Sequence, residues 1–181
     1  MAINGEVITR HKRPSATVIE QIKKLISSIA SQIGVDVSLI IGLVEQESNF
    51  DTQAMRYSAD NPKDRSYGLM QLTIPTAQDM INRMGLKVQA TPELLYKPAT
   101  NLRLGMTYLK GLLDRYGKVE DAIASYNAGK PIISKQTGSY INLDYVKGVL
   151  AKAKKYGYIA IPIVVIIGIG IAIWLFLRKR K

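Results

Sequence analysis

Residues 38–50, SLIIGLVEQESNF, decide the fold that the sequence predicts. Three apolar residues and one carboxylate recur here at the helical spacing i, i+3, i+4 and i+7: Ile40, Leu43, Val44 and Glu47. One face of the predicted helix is therefore apolar and ends in a carboxylate. Glu45 lies roughly 200° around the helix from Glu47 and points elsewhere.

Glu47 is the candidate acid of this helix. A carboxyl group against apolar side chains loses hydration, and this loss favours its neutral form. Such a group could stay protonated near neutral pH and donate a proton, as the general acid of a glycosidase must. From this segment alone, an ordinary surface glutamate at a helix end is the competing interpretation.

The composition restricts the chemistry. The 181 residues carry a net charge of +11 and include no cysteine and one histidine, His11. There is accordingly no disulfide framework and no thiolate nucleophile, and one histidine supplies neither a catalytic triad nor a metal shell. We expect no cofactor and no metal. The positive charge suits a polyanionic partner such as a cell-wall polymer or an anionic lipid, and no signature of a nucleic-acid-binding module is present, so no nucleic acid is expected.

An uncharged apolar segment lies near the C-terminus. Residues 158–177, YIAIPIVVIIGIGIAIWLFL, would span about 30 Å as a helix, which is the thickness of the hydrocarbon core of a bilayer. Basic residues flank it, and the last four, residues 178–181, are all basic. The sequence thus predicts a single-pass C-terminal transmembrane helix in contact with lipid. Gly168 and Gly170 do not form a GxxxG motif, so no dimer is inferred.

Helical periodicity and capping residues organise the rest of the chain. Thr17 and Glu20 form a predicted capping box, Gly34 ends the first helix, and Asp36 caps the helix of Glu47. Further helices are predicted near residues 75–84, from 91, at 99–116 and 119–128, and from 142. Residues 50–67 are predicted as a long polar loop, and no strand is predicted. The expected fold class is all-α, with a flexible N-terminus (1–14), a helical domain (15–155) and a transmembrane helix with a basic tail (156–181).

Several short motifs follow one another along this domain. They are Glu47-Ser48, Tyr67-Gly68-Leu69-Met70-Gln71, Ser125-Tyr126-Asn127-Ala128-Gly129 and Tyr145-Val146. In this order they resemble the lytic transglycosylases of the SLT type, which have a goose-type lysozyme-like fold. The resemblance covers about residues 18–150. It departs at Ser125, where the family usually has alanine, and at Arg56, where it commonly has serine.

The resemblance implies an activity and a set of site residues. The family cleaves the β-1,4 bond between N-acetylmuramic acid and N-acetylglucosamine in peptidoglycan and leaves a 1,6-anhydro ring without using water. Residues 15–155 would be the catalytic domain, and Glu47 would act first as acid and then as base. Ser48 would help to orient Glu47. The substrate-binding set that the resemblance implies is Ser48, Met70, Gln71, Tyr126, Asn127 and Tyr145.

Two alternatives stay open at the level of sequence. A second carboxylate from the following loop, Asp51, Asp60 or Asp64, would permit water-dependent hydrolysis by an inverting pair, as in a muramidase. A structural membrane protein that keeps a lysozyme-like domain for binding the wall is the other alternative.

The predicted topology suggests where the enzyme acts. Peptidoglycan lies outside the cytoplasmic membrane, but residues 1–14, MAINGEVITRHKRP, lack the apolar core of a secretory signal. The internal membrane of a bacteriophage virion would deliver a tail-anchored enzyme to the wall for genome entry. This location is the expectation, and the bacterial cell envelope is the alternative.

Overall fold

The helix predicted around Glu47 is the central element of the structure. The computed structural model describes residues 2–3, 6–9, 14–58 and 64–159. Helix α2, Val37–Glu47, begins at Asp36, whose carboxylate accepts a hydrogen bond from the Leu39 backbone N–H at 2.8 Å. Every residue of α2 from Leu39 to Val44 is buried. A helix that is apolar on nearly all sides must be enclosed by other elements.

Six further helices are present among the described residues, and most begin and end where the sequence predicted. Gly34, Gly117 and Gly129 terminate helices in the left-handed conformation, as expected. One start differs, because the side chain of Ser15, and not the Thr17–Glu20 pair, caps the first helix. The helices besides α2 are α1 Ala16–Ile33, α3 Ile74–Arg83, α4 Pro92–Leu95, α5 Pro98–Tyr116, α6 Val119–Ala128 and α7 Leu143–Lys155.

A small antiparallel sheet corrects the prediction of an all-α fold. Its strands pair in the order β1-β2-β3-β4-β5. Strands of two to four residues are too short to show an alternating pattern, which explains why the sequence did not reveal them. They are β1 Ala2–Ile3, β2 Glu6–Thr9, β3 Met55–Ser58, β4 Arg65–Tyr67 and β5 Leu72–Thr73. Two of them lie within the predicted flexible N-terminus, and two within the predicted loop at 50–67.

The predicted fold class is also wrong in ending with a transmembrane helix. Within residues 14–58 and 64–159, no helix is long and apolar enough to cross a membrane. Helix α7 ends at Lys155, and Gly157 then adopts a φ of 95°, which stops the helix before the apolar segment. Of the predicted span 158–177, only residues 158 and 159 are among those described, and the remainder lies outside them. The predicted division of the chain at residues 14 and 155 stays a prediction.

The buried side chains form two clusters that meet at the site described below. The larger cluster surrounds α2 with side chains from α1, α5, α6 and α7. The smaller lies between α3, α4, α5 and the strands β4 and β5. Tyr108 and Tyr126 pack against both clusters, so the two tyrosines mark the boundary between them.

The close approach of α2 and α7 depends on Gly42. A Cβ atom at this position would lie 2.4 Å from the backbone nitrogen of Ala153 on α7. Real Cβ atoms do not approach backbone so closely, so any side chain here would force the two helices apart.

Gly42→Ala should therefore destabilise the protein. We expect the free energy of unfolding to fall by about 1–3 kcal/mol, the usual cost of overpacking a core. Gly111→Ala on α5 is the matched control, because a Cβ there meets no heavy atom within 4 Å. That change should raise the free energy of unfolding by up to about 1 kcal/mol through helix propensity. Urea denaturation measures both, and equal effects at the two glycines would contradict the packing argument.

Candidate active site

Glu47 occupies the last position of α2, at the point where the buried helix reaches a cavity. It is only 5% exposed. The hydroxyl of Tyr145 on α7 donates a hydrogen bond to its Oε1 atom. Burial and the neighbouring Glu47 charge raise the pKa of Tyr145 well above its usual value. The Tyr145 hydroxyl therefore stays protonated at neutral pH and keeps its role as a donor.

Arg56 on β3 contacts Glu47 from the opposite side. Its Nη1 atom lies 3.6 Å from Glu47 Oε2. Its Nη2 atom donates to the backbone carbonyl of Glu47 at 3.2 Å. One guanidinium thus holds both the side chain and the backbone at the end of α2. The sequence marked this position only as a departure from the family pattern, and Arg56 was not among the predicted site residues.

Ser48 fastens the end of α2 to the segment that follows β4. Its buried hydroxyl lies within hydrogen-bond distance of two carbonyl oxygens, those of Leu69 at 2.9 Å and of Val44 at 3.2 Å. These contacts orient Glu47 through the backbone, because the hydroxyl donates to carbonyl groups and not to the Glu47 carboxylate.

The segment 67–71 forms a tight turn that is held from α5. Gly68 has a φ of 74°, and a Cβ there would lie 2.4 Å from the Leu95 carbonyl oxygen. Glycine is therefore required at this position. Asn101, fully buried on α5, donates to the carbonyls of Tyr67 and Leu95 and accepts from the Met70 backbone N–H at 2.8 Å. One amide thus satisfies two backbone groups of the turn and the last carbonyl of α4.

Met70 and Gln71 have different places in this turn. The Met70 side chain, predicted to line the cleft, is 0% exposed and packs closely over Gly105. Gln71 does line the cavity. Its amide nitrogen donates to the carbonyls of Ala54 and Gly68, and its amide oxygen accepts from the Ser66 hydroxyl at 2.9 Å. Gln71 is therefore held rigidly at the cavity wall.

Tyr126 and Asn127 approach the cavity from the end of α6. The Tyr126 hydroxyl donates to the Met70 carbonyl at 2.8 Å. Burial and the Glu47 charge raise its pKa well above the usual value, so it also stays neutral. The amide oxygen of Asn127 accepts a hydrogen bond from Asn142 at 2.9 Å. This bond directs the Asn127 amide nitrogen away from Asn142, as a donor for another group.

The cavity has a volume of about 270 Å³. Four of the predicted site residues line it, namely Glu47, Gln71, Tyr126 and Asn127. The other three do not: Ser48, Met70 and Tyr145. Other residues also line the cavity, and of these the sequence analysis named only Asp64 as a candidate, as a possible second carboxylate. The additional lining residues include Arg56, Tyr57, Asp64, Thr73, Thr76 and Tyr108.

The donor set of this cavity suits a neutral, hydroxyl-rich ligand. Hydroxyls and amides surround a single buried carboxyl, and such groups can bind hydroxyls and acetamides. Among the described residues, no group of three His, Cys, Asp or Glu side chains could hold a metal ion.

A comparison of this chain with known protein families identifies one family that matches it. The model of the transglycosylase SLT domain matches residues 24–147. The chain belongs to this family. The predicted family is thereby confirmed, and the region matched contains all the motifs on which that prediction depended.

The relatives of this chain are considerably longer than the chain itself, which spans less than a third of their length. Membrane-bound lytic murein transglycosylase C of Histophilus somni is 34% identical over 114 residues, which cover 58% of this chain and 30% of that protein. The lytic transglycosylase Slt of Pseudomonas aeruginosa, solved as an inactive glutamate-to-glutamine variant, has a TM-score of 0.61 at 26% identity. The match covers 75% of this chain and 24% of that chain. The 70 kDa soluble lytic transglycosylase of Escherichia coli shares the fold, with a TM-score of 0.50 at 22% identity over 72% of this chain and 18% of that chain.

Tyr145→Phe tests the hydrogen bond to Glu47. We expect kcat/KM for cleavage of peptidoglycan, the activity proposed below, to fall about 10- to 100-fold, because a hydrogen bond to a charged group contributes about 1.5–3 kcal/mol. The control is Tyr156→Phe, which removes a similar bond, from Tyr156 to Glu45 at 2.9 Å, outside the cavity. Initial rates of wall digestion measure both, and equal losses would show that the Tyr145 bond only stabilises the fold.

Proposed function

We propose that the chain is a peptidoglycan lytic transglycosylase and that Glu47 is its only proton-transferring carboxylate. The observation that carries the proposal is one buried carboxyl, Glu47, at the wall of a cavity that hydroxyls and amides also line, with Arg56 beside the carboxyl. The related proteins named as lytic murein transglycosylases support the same assignment.

In the first step, protonated Glu47 gives its proton to the glycosidic oxygen between N-acetylmuramic acid and N-acetylglucosamine. The bond from this oxygen to the anomeric carbon breaks, and the positive charge that develops lies next to the new carboxylate. In the second step, the muramyl C6 hydroxyl attacks the anomeric carbon and gives its proton to the carboxylate. Glu47 is then protonated again, no water has been consumed, and a 1,6-anhydro ring has formed.

The remaining predicted residues would position the glycan. Asn127, Gln71 and Tyr126 line the cavity, and their amide and hydroxyl groups are suited to binding acetamide and hydroxyl groups. Tyr145 and Ser48 would act on Glu47 itself, and Met70 would act through the carbonyl group that Tyr126 contacts.

Water-dependent hydrolysis is a second candidate because Asp64 lines the same cavity as Glu47. An inverting pair needs two carboxylates about 6.5–9.5 Å apart with a water between them. Asp51 is less suited, since its carboxylate accepts from the Gln53 backbone N–H at 2.8 Å and it does not line the cavity. Asp60 lies outside the described residues.

The location of the enzyme is proposed only as the bacterial envelope, where its substrate lies. The Histophilus somni relative is named as membrane-bound. The predicted role in bacteriophage entry gains no support from the relatives or from the residues that the structure describes. A purely structural, wall-binding role is less favoured because it gives no reason for a carboxyl buried beside Tyr145 and Arg56.

Glu47→Gln should abolish cleavage in the full chain. We expect a loss of at least about 100-fold, the usual contribution of general acid–base catalysis, with binding to the wall retained. Glu45→Gln is the control, since Glu45 contacts Lys155 at the end of α7 and Tyr156 directly after it, and does not line the cavity. Mass spectrometry of digested peptidoglycan should show anhydromuramyl ends that disappear only in Glu47→Gln.

The same assay separates the alternatives. Reducing ends that disappear in Asp64→Asn would establish hydrolysis by a Glu47–Asp64 pair and overturn the transglycosylase mechanism. Wall binding without products from the folded wild-type chain would favour the structural role.

A further inference from the structure

Arg56 contributes a positive charge to the site, and the transglycosylase step does not account for it. Its side chain ends in a guanidinium, which is a cation in proteins. It lies 3.6 Å from Glu47 Oε2 and lines the same cavity, and its side chain is 16% exposed. At this distance, and with both side chains largely buried, a cation favours the carboxylate over the protonated acid.

The two tyrosines near Glu47 do not titrate in the same range as a glutamate. Tyr145 from α7 and Tyr126 from α6 face the carboxyl, and the pKa of each tyrosine is raised well above its usual value. Both therefore stay neutral across the range in which a glutamate titrates. Asp64 also lines the cavity but is exposed, so solvent screens its charge.

Two opposing influences thus act on Glu47. Burial at 5% exposure favours the neutral acid, whereas Arg56 and the Tyr145 hydrogen bond favour the carboxylate. We propose that Arg56 is a positioning residue that confines proton donation by Glu47 to acidic pH. The proposal rests on the proposed function, because it assigns a pH range to the proton donor named there.

Arg56 makes two different contacts with Glu47, and they have different effects. The Nη2 bond to the Glu47 carbonyl holds the end of α2, whereas the Nη1 contact acts on the carboxylate. Loss of support alone would lower activity equally at all pH values. Loss of the charge would move the pH dependence.

The experiment is a pH profile of kcat/KM for peptidoglycan cleavage by the full chain. In the wild type, activity should fall above acidic pH as Glu47 loses its proton. In Arg56→Gln and Arg56→Met, which remove the charge, this falling limb should move up by about one to three pH units, the usual effect of an adjacent opposite charge. Arg56→Lys keeps a cation and should leave the limb near its wild-type position. Arg83→Gln is the control, because Arg83 pairs with Asp79 on the exposed surface of α3.

A direct titration makes the test independent of the reaction products. In ¹³C NMR of the full chain labelled at glutamate carboxyl carbons, the Glu47 signal is the one absent from Glu47→Gln. This signal should titrate at acidic pH in the wild type and at higher pH in the two neutral variants. A Glu47 carboxyl that stays protonated above neutral pH in the wild type would overturn the proposal even if no neutral variant folds. An unmoved limb in folded Arg56→Gln would also overturn it, whereas failure of the transglycosylase assignment would appear only in the products.

Discussion

The contact between α2 and α7 is the constraint on which the site depends. Gly42 lets the two helices approach, and this approach places Tyr145 of α7 against Glu47 at the end of α2. The C-terminal end of α7 is fixed to the same helix, because Ser38 donates to the Tyr156 carbonyl at 2.6 Å and Tyr156 donates to Glu45. The separation of the helices is thus set along their length, and the position of the Tyr145 hydroxyl follows from packing and not from a local loop.

A carboxyl that must serve as acid and then as base needs an environment that tolerates both states. Burial alone would make the carboxylate formed in the first step too costly. A close cation alone would leave too little of the carboxyl in its protonated form. In this site the two effects act on the same group, and the neutral hydroxyl of Tyr145 adds a hydrogen bond without adding charge. The balance does not require a second carboxylate, which agrees with a reaction that consumes no water.

The sequence predicted the helical part of the fold well because its signals are local. Asp36 caps α2, and Gly34, Gly117 and Gly129 end helices through their own conformational preferences. The strands were missed because a segment of two to four residues carries no readable period, and because β2 pairs with β3, which lies far along the chain. Met70 shows the limit for the site, since a motif gives its position but cannot show that its side chain fills the space over Gly105.

The small sheet, which the sequence did not predict, places a positive charge next to Glu47. Strand β3 carries Arg56 to Glu47, and its register with β4 places Arg56 opposite Ser66, whose hydroxyl holds the Gln71 amide. The cation and the cavity wall are therefore fixed by the same few backbone hydrogen bonds. On its other edge β3 pairs with β2, so residues 6–9 support the strand that carries Arg56. The charge next to Glu47 thus depends on a part of the fold without any family motif, and for this reason the motifs point to Glu47 but not to the cation beside it.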